Sequence, residues 1–173
     1  MAAKATARQA RSRVPNREYL LGVSELYQGE VLGEALFSRL AELAGSPEHR
    51  YKLATMLQLE SETKVRLRPF LSRLELSVVE SEEHRLEGRR MAEDLAALGW
   101  QGFIHRFHSQ IQQYIDRYEY ILSLGPESDR PILMSMVSHE RALLSFLSAE
   151  LDGDTQNSIA AVLEQLAFPL TPP

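Results

Sequence analysis

A glutamate at position 60 falls on the apolar stripe of an otherwise amphipathic helix, and this limits the folds open to the chain. The segment from Tyr51 to Leu74 carries Leu53, Met56, Leu57, Leu67 and Leu71 at helical spacing. At about 100° per residue, Glu60 lies near the middle of that stripe. An isolated buried carboxylate is costly, so it needs a partner, a cation or a proton. The fold must therefore bring complementary groups to one interior point.

Two further carboxylates have the same character. Glu30 falls between Leu26 and Phe37 on the apolar face of the first helix, with Glu34 one turn later at its edge. Glu140 shares a stripe with Leu133, Met136, Leu143 and Leu147. An internal echo relates two of the three. Glu60 lies fifteen residues beyond Gly45, and Glu140 lies fifteen beyond Gly125.

Helical patterning dominates, and no stretch alternates like a strand. The first helix is expected from about Arg17 to Ala44, after Asn16 as cap. Ser46-Pro47-Glu48 opens the second, with Pro69 expected to kink or interrupt it near Val65 to Arg68. So short a turn at Gly45 implies an antiparallel hairpin. Residues 75–99 are highly charged and read as a partly helical surface crossover. A third helix is expected from about Trp100 to Leu124 and a fourth from Asp129 to Leu151. A short fifth carries Ile159, Val162, Leu163 and Leu166. Two hairpins joined by a long crossover describe one kind of four-helix bundle.

Residues 1–16 read as a disordered basic tail, 17–167 as the bundle and 168–173 as a second tail. Residues 1–17 hold five basic side chains and no acid; with a net charge of -5 overall, the remainder carries -10. Such an acidic body does not suit nucleic acid. The tail reads as solvated, or as an Ala- and Arg-rich targeting segment. There is no cysteine, which excludes thiolate metal sites and disulfides and fits a cytoplasmic location. No apolar run approaches membrane-spanning length.

Glu30, Glu60 and Glu140 are thus candidates to converge in the interior. His139 is the nearest imidazole in sequence, although it sits at the margin of its stripe, as does His108; His105 reads as solvated. Tyr27, Tyr114, Tyr118 and Thr63 are candidates for hydrogen bonds to the carboxyls, together with Glu34. With no metal, at least one carboxyl is expected to be protonated, and Glu60→Gln to be neutral or stabilising.

With the strings Tyr27-Gln-Gly-Glu30 and Leu59-Glu60-Ser-Glu62-Thr63, the chain resembles the ferritin-like superfamily, which includes the rubrerythrins, over roughly Glu18 to Leu166. The resemblance implies an all-α, ferritin-like four-helix bundle with a long crossover and a short C-terminal helix. It also implies a di-iron or di-manganese site, built from a Glu on each of two helices and a Glu-x-x-His on each of the other two. Glu30 matches a single Glu, and Glu60 and Glu140 match the paired motifs. Thr63 and Leu143 stand where the histidines would be.

Three functional readings follow. One is a non-haem protein binding iron or manganese at Glu30, Glu60, Glu140 and His139, for redox or storage. Another is a non-enzymatic helical interaction module that keeps the fold without a metal. A small-molecule pocket in the core is a third. A homodimer is expected from the exposed helical faces.

Overall fold

The computed structural model describes residues 16–171, so the basic tail, Asn16 apart, lies outside the described residues, as do residues 172 and 173. Six α-helices and one 3-10 helix are found among the described residues, with no strand. They are α1 (Arg17–Leu43), α2 (Pro47–Arg73), α3 (Glu82–Ala96), α4 (Gly99–Leu124), α5 (Arg130–Asp152) and α6 (Ala160–Leu163), with the 3-10 turn at Glu127–Asp129 before α5. No described helix is long and apolar enough to cross a membrane.

Local chemistry sets the boundaries. Asn16 caps α1 by accepting the Glu18 amide at 3.1 Å, and Ser46 caps α2 by accepting the His49 amide at 3.1 Å. Each cap satisfies an amide that the helix start leaves unpaired. Gly153 ends α5 at φ 84°, a conformation that suits glycine. Pro69 does not interrupt α2, which continues to Arg73. Pro69 and Val65 both face solvent, so water can take the Val65 carbonyl that proline leaves without an amide donor.

The crossover is more regular than expected. A turn at Leu74 and Glu75, the latter at φ 58°, ends α2; residues 76–81 carry no regular secondary structure, and α3 is then a full helix capped by Ser81. It packs on α1 through Gly88, Ala92 and Leu95. Gly88 sits against the Leu32 carbonyl, and a methyl group there would also come within 3.1 Å of Ala35 Cβ. The irregular stretch is tied down by side chains. Tyr27 donates to the Val78 carbonyl at 3.0 Å, and Gln28 donates to the Val79 carbonyl at 2.9 Å. Glu80 pairs with Lys64, Arg68 and Arg85. The short final helix is only Ala160–Leu163, flanked by turns. Beside it, Lys52 donates to Glu150 and to the Thr155 carbonyl, at 2.7 and 2.8 Å. Ser158 and the Trp100 indole donate to the same Glu150.

The four long helices α1, α2, α4 and α5 enclose the interior. Its apolar residues fall into two clusters rather than one. One includes Phe37, Met56, Phe103, Ile111 and Phe146; the other includes Tyr19, Leu26, Leu67, Ile121 and Met136. On every long helix the chain passes from one cluster to the other at about the same level. The changeover lies between Val31 and Leu36 on α1, Leu59 and Leu67 on α2, Ile115 and Tyr118 on α4, and Val137 and Ala142 on α5. A polar layer occupies that level.

Candidate metal centre

The layer is built from single side chains on separate helices. Glu30 comes from α1, Glu60 and Thr63 from α2, and His139 and Glu140 from α5. All five are buried. Glu30, Glu60 and His139 each offer a ligand atom, and these atoms lie within 4.8 Å of one another. His139 Nε2 is 3.2 Å from Glu60 Oε1. His139 Nδ1 is 3.1 Å from Thr63 Oγ1 and 3.6 Å from Glu30 Oε2.

His139 is therefore central, not marginal. Neighbouring positions on a helix point about 100° apart. Glu140 turns toward α4, and His139 turns toward α1 and α2. Both are enclosed because α5 is covered on both sides.

Glu30 is the unusual member. Neither of its carboxylate oxygens has a hydrogen-bond donor, although both are buried. The 3.6 Å approach to His139 is too long for a hydrogen bond. An unpartnered buried acceptor costs about 1–3 kcal/mol, more when charged. Such a group calls for a ligand, an ion or a proton.

Electrostatics follow from this crowding. Burial pushes the Glu30 carboxyl well above the usual range; the positive charge of His139 opposes the rise, and the charges of Glu60 and Glu140 add to it. For His139, burial favours the neutral ring, but the nearby negative charges of Glu30 and Glu60 outweigh it and hold the imidazole at about 10. Burial raises Glu140 to about 7, with His139 opposing. The Tyr118 phenol is raised by burial and by the surrounding carboxylates, Glu140 foremost. Glu30 and His139 thus bias each other: a negative Glu30 favours the imidazolium, and the imidazolium opposes protonation of Glu30, while burial favours the neutral carboxyl.

The other candidates lie apart. Tyr27 is buried, but its hydroxyl serves the Val78 carbonyl and accepts from Arg68 Nε at 3.3 Å. Glu34 leaves the layer to pair with Lys64 and to accept from Ser61 at 2.6 Å. Tyr114 and Tyr118 reach the layer from α4 by lining a small pocket that ends at Glu60 and Glu140. His105 is exposed, and His108 meets Ser148 at 3.3 Å. Gly33, on α1, lies directly against the Glu60 carboxyl.

The donor set of two carboxylates and one imidazole suits hard to borderline divalent ions such as manganese, iron(II) or zinc. An octahedral ion with bonds of about 2.1 Å sets adjacent ligand atoms about 3 Å apart. The 3.2 Å between Glu60 and His139 Nε2 is near that spacing. Thr63 would then take the proton on Nδ1, the usual outer partner that fixes a ligating imidazole. Searches of protein-family models, curated proteins and solved structures find no match for the chain. The fold and the layer thus define an all-helical protein with a buried ionisable group at its centre.

Proposed function

We propose that this protein is a ferritin-like four-helix bundle that holds one divalent metal cation, iron or manganese, for redox or storage. Glu30, Glu60 and His139 would be its ligands, with Glu140 beside them. The observation that carries the reading is Glu30, a buried carboxylate with two unpartnered oxygens, aimed at two other potential ligands. Thr63 and Leu143 replace the imidazoles of a paired site, which favours one ion over two.

Elemental analysis tests this after purification without chelator from cells supplied with iron and manganese. Retention of near one ion per chain supports the reading, as does a melting temperature that rises with added metal in the wild type but not in Glu30→Gln. Ligand binding to the native state alone must raise its stability. A chain that retains no metal and whose melting temperature ignores both ions defeats the proposal.

A second reading rests on a different observation. The imidazolium of His139 meets an acceptor at each nitrogen, Glu60 at 3.2 Å and Thr63 at 3.1 Å. That arrangement is complete without a metal and suits a helical interaction module whose polar layer fixes helix register. In the chelated protein this reading makes Glu30→Gln harmless and Glu60→Gln costly.

A further inference from the structure

Beside the ionisable layer, a pocket of about 80 Å³ opens between α1, α3 and α4. Four aromatic rings line it, those of Phe37, Phe107, Tyr114 and Tyr118, and its inner end is closed by Glu60 and Glu140. Phe37 and Phe107 meet edge to face with centroids 5.9 Å apart, so each fixes the other's orientation. Tyr114 stands at the mouth and is partly exposed. Glycines keep the space open: a methyl group on Gly29 would lie 2.9 Å from the Tyr118 hydroxyl.

We propose that this pocket binds a small organic ammonium ion, with its charged head on Glu140 and its apolar part against the aromatic rings. Three features favour that class over others. Glu140 is nine-tenths buried, faces the pocket and has no ion-pair partner within 4.0 Å among the described residues. A carboxylate so placed selects a cation with hydrogen-bond donors. Aromatic faces attract ammonium groups, and most strongly when water is excluded. The apolar walls, with Met91 and Leu143 among them, cannot replace the hydration shell of an inorganic ion. The volume of about 80 Å³ admits about five to eight non-hydrogen atoms, since one water needs roughly 10–15 Å³ on the same measure.

The inference rests on the pocket and on Glu140, not on the metal. Charge makes the two compatible. Three carboxylates around one divalent ion and a neutral imidazole leave one negative charge, which an ammonium ion would balance.

The test uses the chelator-treated full chain and n-propylammonium chloride, with n-propanol as the neutral control of similar shape and sodium chloride as the ionic control. Titration calorimetry and melting temperature are the readouts. Saturable binding of propylammonium, absent with both controls, is expected. Glu140→Gln keeps the shape and should weaken that binding by about tenfold or more. Tyr114→Leu, at the rim where folding is not at risk, should weaken it severalfold. Equal responses to propanol and propylammonium would reduce the pocket to an apolar cleft and overturn the proposal. So would unchanged affinity in Glu140→Gln, or no binding to folded wild type. Repeating the titration with manganese present separates the two readings. Loss of the manganese effect alone sinks the metal centre, and loss of the ammonium effect alone sinks the pocket.

Discussion

Gly33 of α1 and Glu60 of α2 are packed so closely that a methyl group on Gly33 would lie 2.6 Å from the Glu60 carboxyl carbon. The contact is with the far end of a side chain, which can swing, rather than with fixed backbone. Gly33→Ala should therefore move Glu60 instead of separating the helices. Alanine gains about 1 kcal/mol over glycine in a helix interior, and displacing a buried side chain costs about 1–3 kcal/mol. Stability should fall by no more than about 2 kcal/mol, while any metal-dependent rise in melting temperature disappears. Urea denaturation with and without manganese reads both effects. An undiminished metal response in the variant would mean that Glu60 is not a ligand.

Gly88 makes the opposite kind of contact. Its neighbour is the Leu32 backbone carbonyl, which cannot move without displacing α1. Gly88→Ala should destabilise the protein despite the better helix propensity, by about 1–2 kcal/mol net. Hydrogen exchange should quicken in α3 before it does in α5. A stabilised variant would show that α3 is free to shift outward.

Glu30 and Glu60 should respond differently to amidation in the chelated protein. Glu30 has no donor and is pushed toward its neutral form, so Glu30→Gln should be neutral or mildly stabilising. Glu60 accepts from the His139 imidazolium, and its loss of charge should cost about 1–3 kcal/mol. From sequence alone Glu60 is the carboxyl expected to tolerate amidation; the bond to His139 transfers that expectation to Glu30. Melting curves of the two variants side by side decide the order.

Lys52 and Glu150 form an ion pair in which both side chains are almost fully enclosed. Glu150→Ala leaves the ammonium group with Glu48 and the Thr155 carbonyl, leaves Ser158 with the Thr155 carbonyl, and takes the acceptor from Trp100. The expected loss is about 1–3 kcal/mol. The double variant Lys52→Met, Glu150→Leu should recover most of it in denaturant unfolding. Failure of the double variant to recover would place the importance of the network in its hydrogen bonds to Thr155 and Trp100.

Glu80 supplies a pH dependence with a definite sign. Burial raises its carboxyl, but bonds from Lys64, Arg85 and Arg68 outweigh that and hold it at about 2, below its ordinary 4.5. Its contribution is full above the unfolded value and is lost as pH falls from 4.5 toward 2. Glu80→Gln should lower the melting temperature at pH 7, and the gap from wild type should close through that acid window. A gap of constant size down to pH 2 would contradict the ion-pair account.

The helices were legible because apolar residues recur at helical spacing, and the caps Asn16 and Ser46 mark where two of them begin. The burial of Glu30, Glu60 and Glu140 was legible for the same reason. His139 was not, since a single stripe describes one face and α5 is covered on two. The order in α3 was hidden because Gly88 and Ala92 do the packing, and small residues give little hydrophobic signal. Periodicity placed Tyr27 inside but could not say that its hydroxyl answers a carbonyl 51 residues away. Side-chain direction at a polar layer depends on partners that come from other helices.

The carboxyl and imidazole members of the layer come from α1, α2 and α5, whereas α4 reaches it with the phenol of Tyr118. Substitutions along the inner face of α4, at Phe107 or Tyr114, would reshape the pocket without touching a charged group. The ionic centre and the shape of the space beside it can therefore diverge independently. One scaffold of this kind can keep its interior electrostatics while descendants change what they admit.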